Sequence, residues 1–380
     1  MKRFLTAHAM AGDWAHAAKD CCDNLGALPT PEDGCSLVGF LYVTDGLAAD
    51  MGSILTYVRQ KTGIQHWCGT IGIGIISNNW ECHDELGITM MVAEFPDGGF
   101  HVFSGVVSDY QELPAESRAW IDKTTPGFGV VHGDPTNEYV GAAIQSLALG
   151  LGGTFGGGFL VGGLSASRGE NYQVADRITG GGVSGIAFGP GVEVATGLSQ
   201  GCNPLGPSHL VTDAVDNVVM ALDGEPAIDV LKEDVGELLA RDLQRIAGYV
   251  HVAFPVEGSD TGDYMVRNLV ALDLERGWLA IGGNVTPGDR VIFVRRDPVN
   301  ARADMDRMLL AVKSRIPGQP KGGLYFSCVA RGPQMFGTQG EEARMINGIL
   351  GDVPLVGFFG NGEISNARLY GYTGVLTLFF

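Results

Sequence analysis

Near the C-terminal end of the chain, a cysteine, an arginine, a carboxylate and a set of glycines lie close together in sequence. The run GGLYFSCVARGPQMFG, residues 322–337, carries an apolar stretch, Leu324-Tyr325-Phe326, to Cys328, and Arg331 and Gly332 follow. Downstream, VPLVGFFGNGEI adds Gly357, Phe358, Gly360, Asn361, Gly362 and Glu363. A cysteine at the end of a strand can be a nucleophile, part of a ligand-pocket wall, or a small packed residue. A nucleophile needs a base, usually His, and an oxyanion hole. After residue 225 the chain holds only His251, in the apolar alternation GYVHVAF, which reads as a strand. The pocket reading rests on chemistry. Strand ends and glycine turns expose backbone N–H groups that receive carboxylates. Arg331 can pair bidentately with a ligand carboxylate, and Glu363 can meet a ligand ammonium. Phe358 and Phe359 alternate sides of a strand, so only one of them faces a given pocket. The competing arrangement is an internal Arg331–Glu363 ion pair that ties two loops together.

Other motifs exclude chemistry. The glycine-dense segment GGTFGGGFLVGGLSASRG, residues 152–169, lacks GKS or GKT, and its glycines lead into a strand, so it is neither a Walker A loop nor a Rossmann fingerprint. The acidic groups at 83–85 (HDE) and 223–229 (DGEPAID) lack the spacing of an EF-hand. Seven cysteines, at 21, 22, 35, 68, 82, 202 and 328, form no CxxC pair, which points to reduced thiols in a cytoplasmic protein.

The elements that must position these residues follow from composition and pattern. The chain has 380 residues, 45% hydrophobic and 18% charged, enough for two domains with real cores. Its formal charge of −18 argues against nucleic acid or an anionic membrane as a main partner. No run of 18 apolar residues is long enough to span a bilayer. FLTAHAM reads as a first strand, and Asp13 as the cap of a helix whose buried side holds Trp14, Ala17, Ala18, Cys21 and Leu25. GFLYV, a helix and WCGTIGIGII follow. GITMMVAEF and GFHVFSGVV pair across the turn at 96–99. The turn Asp223-Gly224-Glu225-Pro226 marks the expected domain boundary, giving 1–225 and 226–380.

An internal echo links the halves. Both copies carry G-x-x-G-x-G after a strand and helix: Gly69, Gly72, Gly74 and Gly357, Gly360, Gly362. The inference is two related βαββ units, and an α/β fold with mixed, mainly antiparallel sheets flanked by helices.

On these residues the chain resembles the FIST family. GGLYFSCVARGPQMFG, VPLVGFFGNGEI and YTGVLTL are similar to the FIST C-terminal domain, and VVHGDP, GGFLVGG and GLSQGCNPLGPSHLVT to the FIST N-terminal domain. The resemblance implies a bacterial signal-transduction sensor that binds a small ligand, such as an amino acid or related anion, with no enzymatic activity and no required cofactor. It also implies a separate partner: a histidine kinase, a diguanylate cyclase or a chemotaxis protein. Within the family a haem-dependent nitric oxide sensor is an alternative, for which His209 and His132 are the candidate axial ligands. A cysteine-dependent enzyme using Cys328 is the remaining alternative.

Overall fold

Strand β1 (Phe4–Met10) leads through α1 (Trp14–Leu25) to β2 (Cys35–Thr44), and α2 (Met51–Thr62) returns the chain to β3 (His66–Gly72), parallel to β2. Local chemistry sets these bounds. Asp13 accepts from the His16 N–H at 2.9 Å and starts α1, and Gly63, at φ 73°, stops α2 in a left-handed turn. A hairpin, β4 (Gly74–Ser77) and β5 (Trp80–His83), and then β6 (Gly87–Pro96) complete the unit. The computed structural model describes residues 4–152, 157–240, 248–256 and 263–380, without the side chains of 237–240. Residues 153–156 of the glycine-dense segment therefore lie outside the description.

The same order of elements then recurs. The second copy runs β7 (Phe100–Val106), α3 (Ala115–Thr124), β8 (Phe128–Gly133), α4 (Val140–Leu151), β9 (Phe159–Leu164), β10 (Gln173–Ala175), β11 (Ile178–Thr179) and β12 (Val183–Phe188). The third begins at β13 (Val194–Gln200), where a long insertion follows.

The insertion comprises β14 (Cys202–Pro204), β15 (His209–Val215), β16 (Val218–Leu222), β17 (Glu225–Pro226), α5 (Ala227–Ala240), β18 (Val250–Pro255), β19 (Tyr264–Asp273), β20 (Trp278–Ile281) and β21 (Arg290–Arg296). The third copy resumes within α6 (Pro298–Arg315) and continues with β22 (Gly322–Cys328), α7 (Glu341–Leu350), β23 (Leu355–Gly360), β24 (Glu363–Ser365), β25 (Arg368–Tyr370) and β26 (Thr373–Phe379).

Two compact units result. The first is Met1–Ser199 with Met305–Leu369 and Thr373–Phe380, and the second is Gln200–Asp304 with Tyr370–Tyr372. The Asp223–Pro226 turn lies within the second unit.

In the first unit the three copies form three six-stranded sheets of one design: β1-β6-β2-β3-β10-β11, β7-β12-β8-β9-β24-β25 and β13-β26-β22-β23-β4-β5. Each copy hands its hairpin to another copy's sheet. β4 pairs with β23, β24 with β9, and β10 with β3, closing a ring of three exchanges. Three backbone bonds repeat the cycle: Ala166 N–H to Ile71 O at 3.0 Å, Asn361 to Leu164 at 3.1 Å, and Ile73 to Phe359 at 3.2 Å. Side chains on the second strand of each copy meet at the centre. Tyr42 and His132 ring centroids are 5.5 Å apart, Tyr42 and Phe326 6.2 Å, and His132 and Phe326 6.1 Å. One apolar cluster joins the inner faces of the three sheets, and each outer face packs its own helices.

The echo seen in the glycine pattern is thus present in register, with Leu41 opposite Gly69 and Tyr325 opposite Gly357. A third member, Val131 opposite Gly162, sits between them. The three glycines share one cause. A Cβ on any of them would come within 1.8 Å of the carbonyl oxygen opposite.

The second unit has its own sheet, β14-β21-β15-β16-β20-β19-β18, and β18 also pairs back to β21. Helix α5 buries Ala227, Ile228, Val230, Leu231 and Val235 against one face with Val252, Leu269 and Phe293. The side chains of Leu238 and Leu239, further along the helix, lie outside the description. The fold is α/β with mixed, mainly antiparallel sheets, and no helix among the described residues is long and apolar enough to cross a membrane.

Candidate functional site

Comparison of the three copies isolates one corner of the first unit. The outward-facing residues of the second strand are Leu41 and Val43 in the first copy and Val131 and Gly133 in the second. In the third copy they are Tyr325 and Ser327. Two polar side chains on a buried strand face need a buried partner. That partner is Glu342, fully buried in the first turn of α7. Its carboxylate accepts from Tyr325 Oη at 2.7 Å, Ser327 Oγ at 3.0 Å, Arg331 Nε at 2.8 Å and the Gly332 N–H at 3.1 Å.

The corner residues named from sequence fall around this network. Cys328 ends β22 opposite Gly360 of β23, and both are buried. Arg331 is fully buried. Burial opposes its charge, but Glu342 outweighs this and holds the guanidinium above its ordinary range. The competing arrangement, an Arg331–Glu363 ion pair, is not the one formed: the carboxylate bonded to Arg331 is that of Glu342, which the fold turns inward from the start of a helix. Gly332 has φ 55° and ψ −141°, and a Cβ there would press on the Phe359 and His83 rings at 3.1 and 3.2 Å.

Gly357 is the close-approach glycine of this copy, and Gly362 and Asn361 form the crossover into β24. Phe358 points into the central cluster, stacked on Tyr42 at 5.3 Å, so it does not face the Arg331 side. The outer face belongs to Phe359, which packs on His83 at 4.4 Å.

Glu363 begins β24. Its equivalents by register are Ile75 and Gln173. It is buried; Oε2 accepts from Thr373 N and Oγ1 at 3.1 and 2.7 Å, and Oε1 has no partner. Burial pushes its pKa up to about 8, although the Thr373 bonds and Arg331 pull the other way. Arg331 Nη1 is likewise buried without a hydrogen-bond partner. The corner therefore holds an unmatched donor and an unmatched acceptor, each influencing the other's charge.

Two further residues, Glu342 and Glu81, escaped the sequence reading. Glu342 looked like an ordinary first-turn acid; its signal was the Tyr325/Ser327 pair on an otherwise apolar strand face. Glu81, on the exchanged hairpin, caps α7 by accepting from Gly340 and Ala343 N–H at 2.9 and 3.1 Å. His83 lies against Gly332 and lines a cavity of about 390 Å³ with Trp80, Glu81, Gln339, Gly340 and Arg344.

The histidines weighed for haem do not fit that role. Both nitrogens of His209 are engaged, by Asp223 at 2.7 Å and Asp234 at 3.0 Å. His132 is fully buried in the central cluster, with Nε2 3.3 Å from Tyr42 Oη and Nδ1 3.6 Å from Cys68 Sγ. Burial lowers its pKa to about 3 and keeps it neutral. Among the described residues no group of three or more His, Cys, Asp or Glu side chains is arranged to hold a metal.

Two family models match the chain, and their junction falls inside the second compact unit. The FIST N domain matches residues 38–225 and the FIST C domain residues 227–366. An uncharacterized protein of Mycobacterium tuberculosis (strain ATCC 25618 / H37Rv) is 31% identical over 324 residues, 82% of each chain. One of Mycobacterium bovis (strain ATCC BAA-935 / AF2122/97) is 28% identical over 343 residues, 86% of each. F-box only protein 22 of Pongo abelii is 42% identical over 74 residues, 19% of this chain and 18% of that one.

Proposed function

The chain belongs to the FIST family, which is associated with signal-transduction sensing, and from that premise we propose a cytoplasmic, non-catalytic sensor that holds a small ligand at the third-copy corner. Arg331 and Glu363 are its polar contacts, with Cys328, Gly332, Gly357, Gly360, Asn361 and Gly362 forming the surrounding backbone and wall, and Phe358 backing it from the core. The ligand is an amino acid or a related small anion. Arg331 Nη1 donates to its carboxylate, and Glu363 Oε1 accepts from its ammonium or shares a proton with it.

One observation carries the reading: complementary buried atoms, Arg331 Nη1 and Glu363 Oε1, are unsatisfied in the one copy that carries a carboxylate at the Glu363 position. A buried polar atom left unpaired costs about 1–3 kcal/mol, a cost a ligand bridging the two would remove. Binding that favours one arrangement of the glycine crossover is then passed to a separate partner such as a histidine kinase, a diguanylate cyclase or a chemotaxis protein.

A thermal-unfolding screen of the purified protein against amino acids and their keto-acid relatives tests this. A ligand at 100 times its Kd stabilises by about 2.7 kcal/mol. The expected result is a concentration-dependent rise in Tm for one chemical series, absent in Glu363→Gln. No shift with any compound, or a shift that Glu363→Gln retains in full, overturns the proposal.

A further inference from the structure

A second orphaned group lies in the inserted unit. Along β18, alternation sends Val250 and Val252 to the α5 side and His251 to the opposite face. By register that face also carries Val294 and Arg296 of β21, and Asn268 of β19. His251 is only 2% exposed, and neither ring nitrogen has a hydrogen-bond partner. Its ring lies 4.4 Å from that of Tyr372, whose hydroxyl donates to Asn268 Oδ1 at 2.6 Å. The Arg296 guanidinium stands 6.0 Å from the same Tyr372 ring. Tyr372 has φ 63°, a conformation that costs a non-glycine residue about 1–2 kcal/mol, so the fold spends strain to seat this ring.

A histidine kept for packing alone would be replaceable by an apolar residue at no polar cost. Two unmet nitrogens at one buried ring leave an N–H donor that a guest can engage. Water can satisfy the ring, but it gains little from a neighbouring guanidinium. An oxyanion accepts from the imidazole N–H and pairs with the arginine together. We infer that His251 and Arg296, with Tyr372 as the wall, form a binding site for a small oxyanion, a carboxylate or a phosphate, distinct from the Arg331–Glu363 corner. Burial and the nearby Arg296 charge lower the His251 pKa to about 4, so the ring is neutral near pH 7 and presents one N–H donor. Arg296 and Tyr372 are half-buried.

Nitrogen-15 histidine spectra of the intact protein test the site, with acetate and inorganic phosphate titrated separately at constant ionic strength. The His251 ring signals should shift saturably with one of the two anions, and the anion that acts identifies the source class. Arg296→Gln should weaken that response at least 10-fold while leaving the other histidines unchanged. His251 signals that ignore both anions, or that respond equally well in Arg296→Gln, overturn the inference. The assay reads the native ring directly, so a His251 variant that fails to fold does not decide it.

Discussion

At the scale of single residues, Glu363 has a defined effect on pH dependence. Its folded pKa of about 8 lies well above the unfolded value near 4.5. The native state therefore holds a proton that the unfolded chain has released between those values. Stability tied to this proton is complete below about pH 4.5 and is lost as pH rises towards 8, at about 1.4 kcal/mol per unit for one fully coupled group. Urea unfolding of the wild type should show this decline, and Glu363→Gln should remove most of it. A wild-type curve that rises over the same window would place the group's pKa on the other side.

The Arg331–Glu342 pair gives a second expectation. Glu342→Ala leaves a buried guanidinium uncompensated and should cost about 3–5 kcal/mol, whereas replacing both charges by apolar groups should cost far less. A double-mutant cycle in urea measures the difference. Sequence placed Cys328, Arg331 and Glu363 in one neighbourhood because strand, turn and glycine signals are local. It left out Glu342, because the acid at a helix start reads as a dipole partner until the strand beneath it is known.

Among elements, two devices tie helices to strands. Glu81 reaches from β5 to cap α7. Glu81→Ala should cost about 1 kcal/mol and raise hydrogen exchange at the Gly340 and Ala343 amides more than elsewhere in α7. In the inserted unit, His209 joins β15 to the turn at Asp223 and to α5 at Asp234. Burial opposes its charge, but the two aspartates outweigh burial and raise its pKa. The clamp is therefore at full strength below the ordinary imidazole range and weakens as pH rises through the raised value. Hydrogen exchange along α5 should increase across that rise, and His209→Gln should abolish the pH step.

The glycine spacing revealed two of the three copies, read as βαββ units, because Gly69 and Gly357 stand out in apolar runs. It hid the third because Gly162 sits in a tract where glycine is common. Nor does composition mark where an inserted segment returns to the sheet it left, since both sides of the join are ordinary strand and helix.

For the whole molecule, a formal charge of −18 predicts weak, nonspecific retention on nucleic acid, which a salt-dependent binding assay would show. The ring of hairpin exchanges sets a stronger constraint. A fragment holding only the first copy, Phe4–Pro96, would own a hairpin with no sheet to receive it and a sheet whose far edge lacks its last two strands. Three such fragments would complete one another by the handovers the intact chain makes internally. The polypeptide can be regarded as a strand-swapped trimer whose subunits have been written into a single gene product. The separated segment should accordingly sediment as a threefold assembly rather than as a lone subunit.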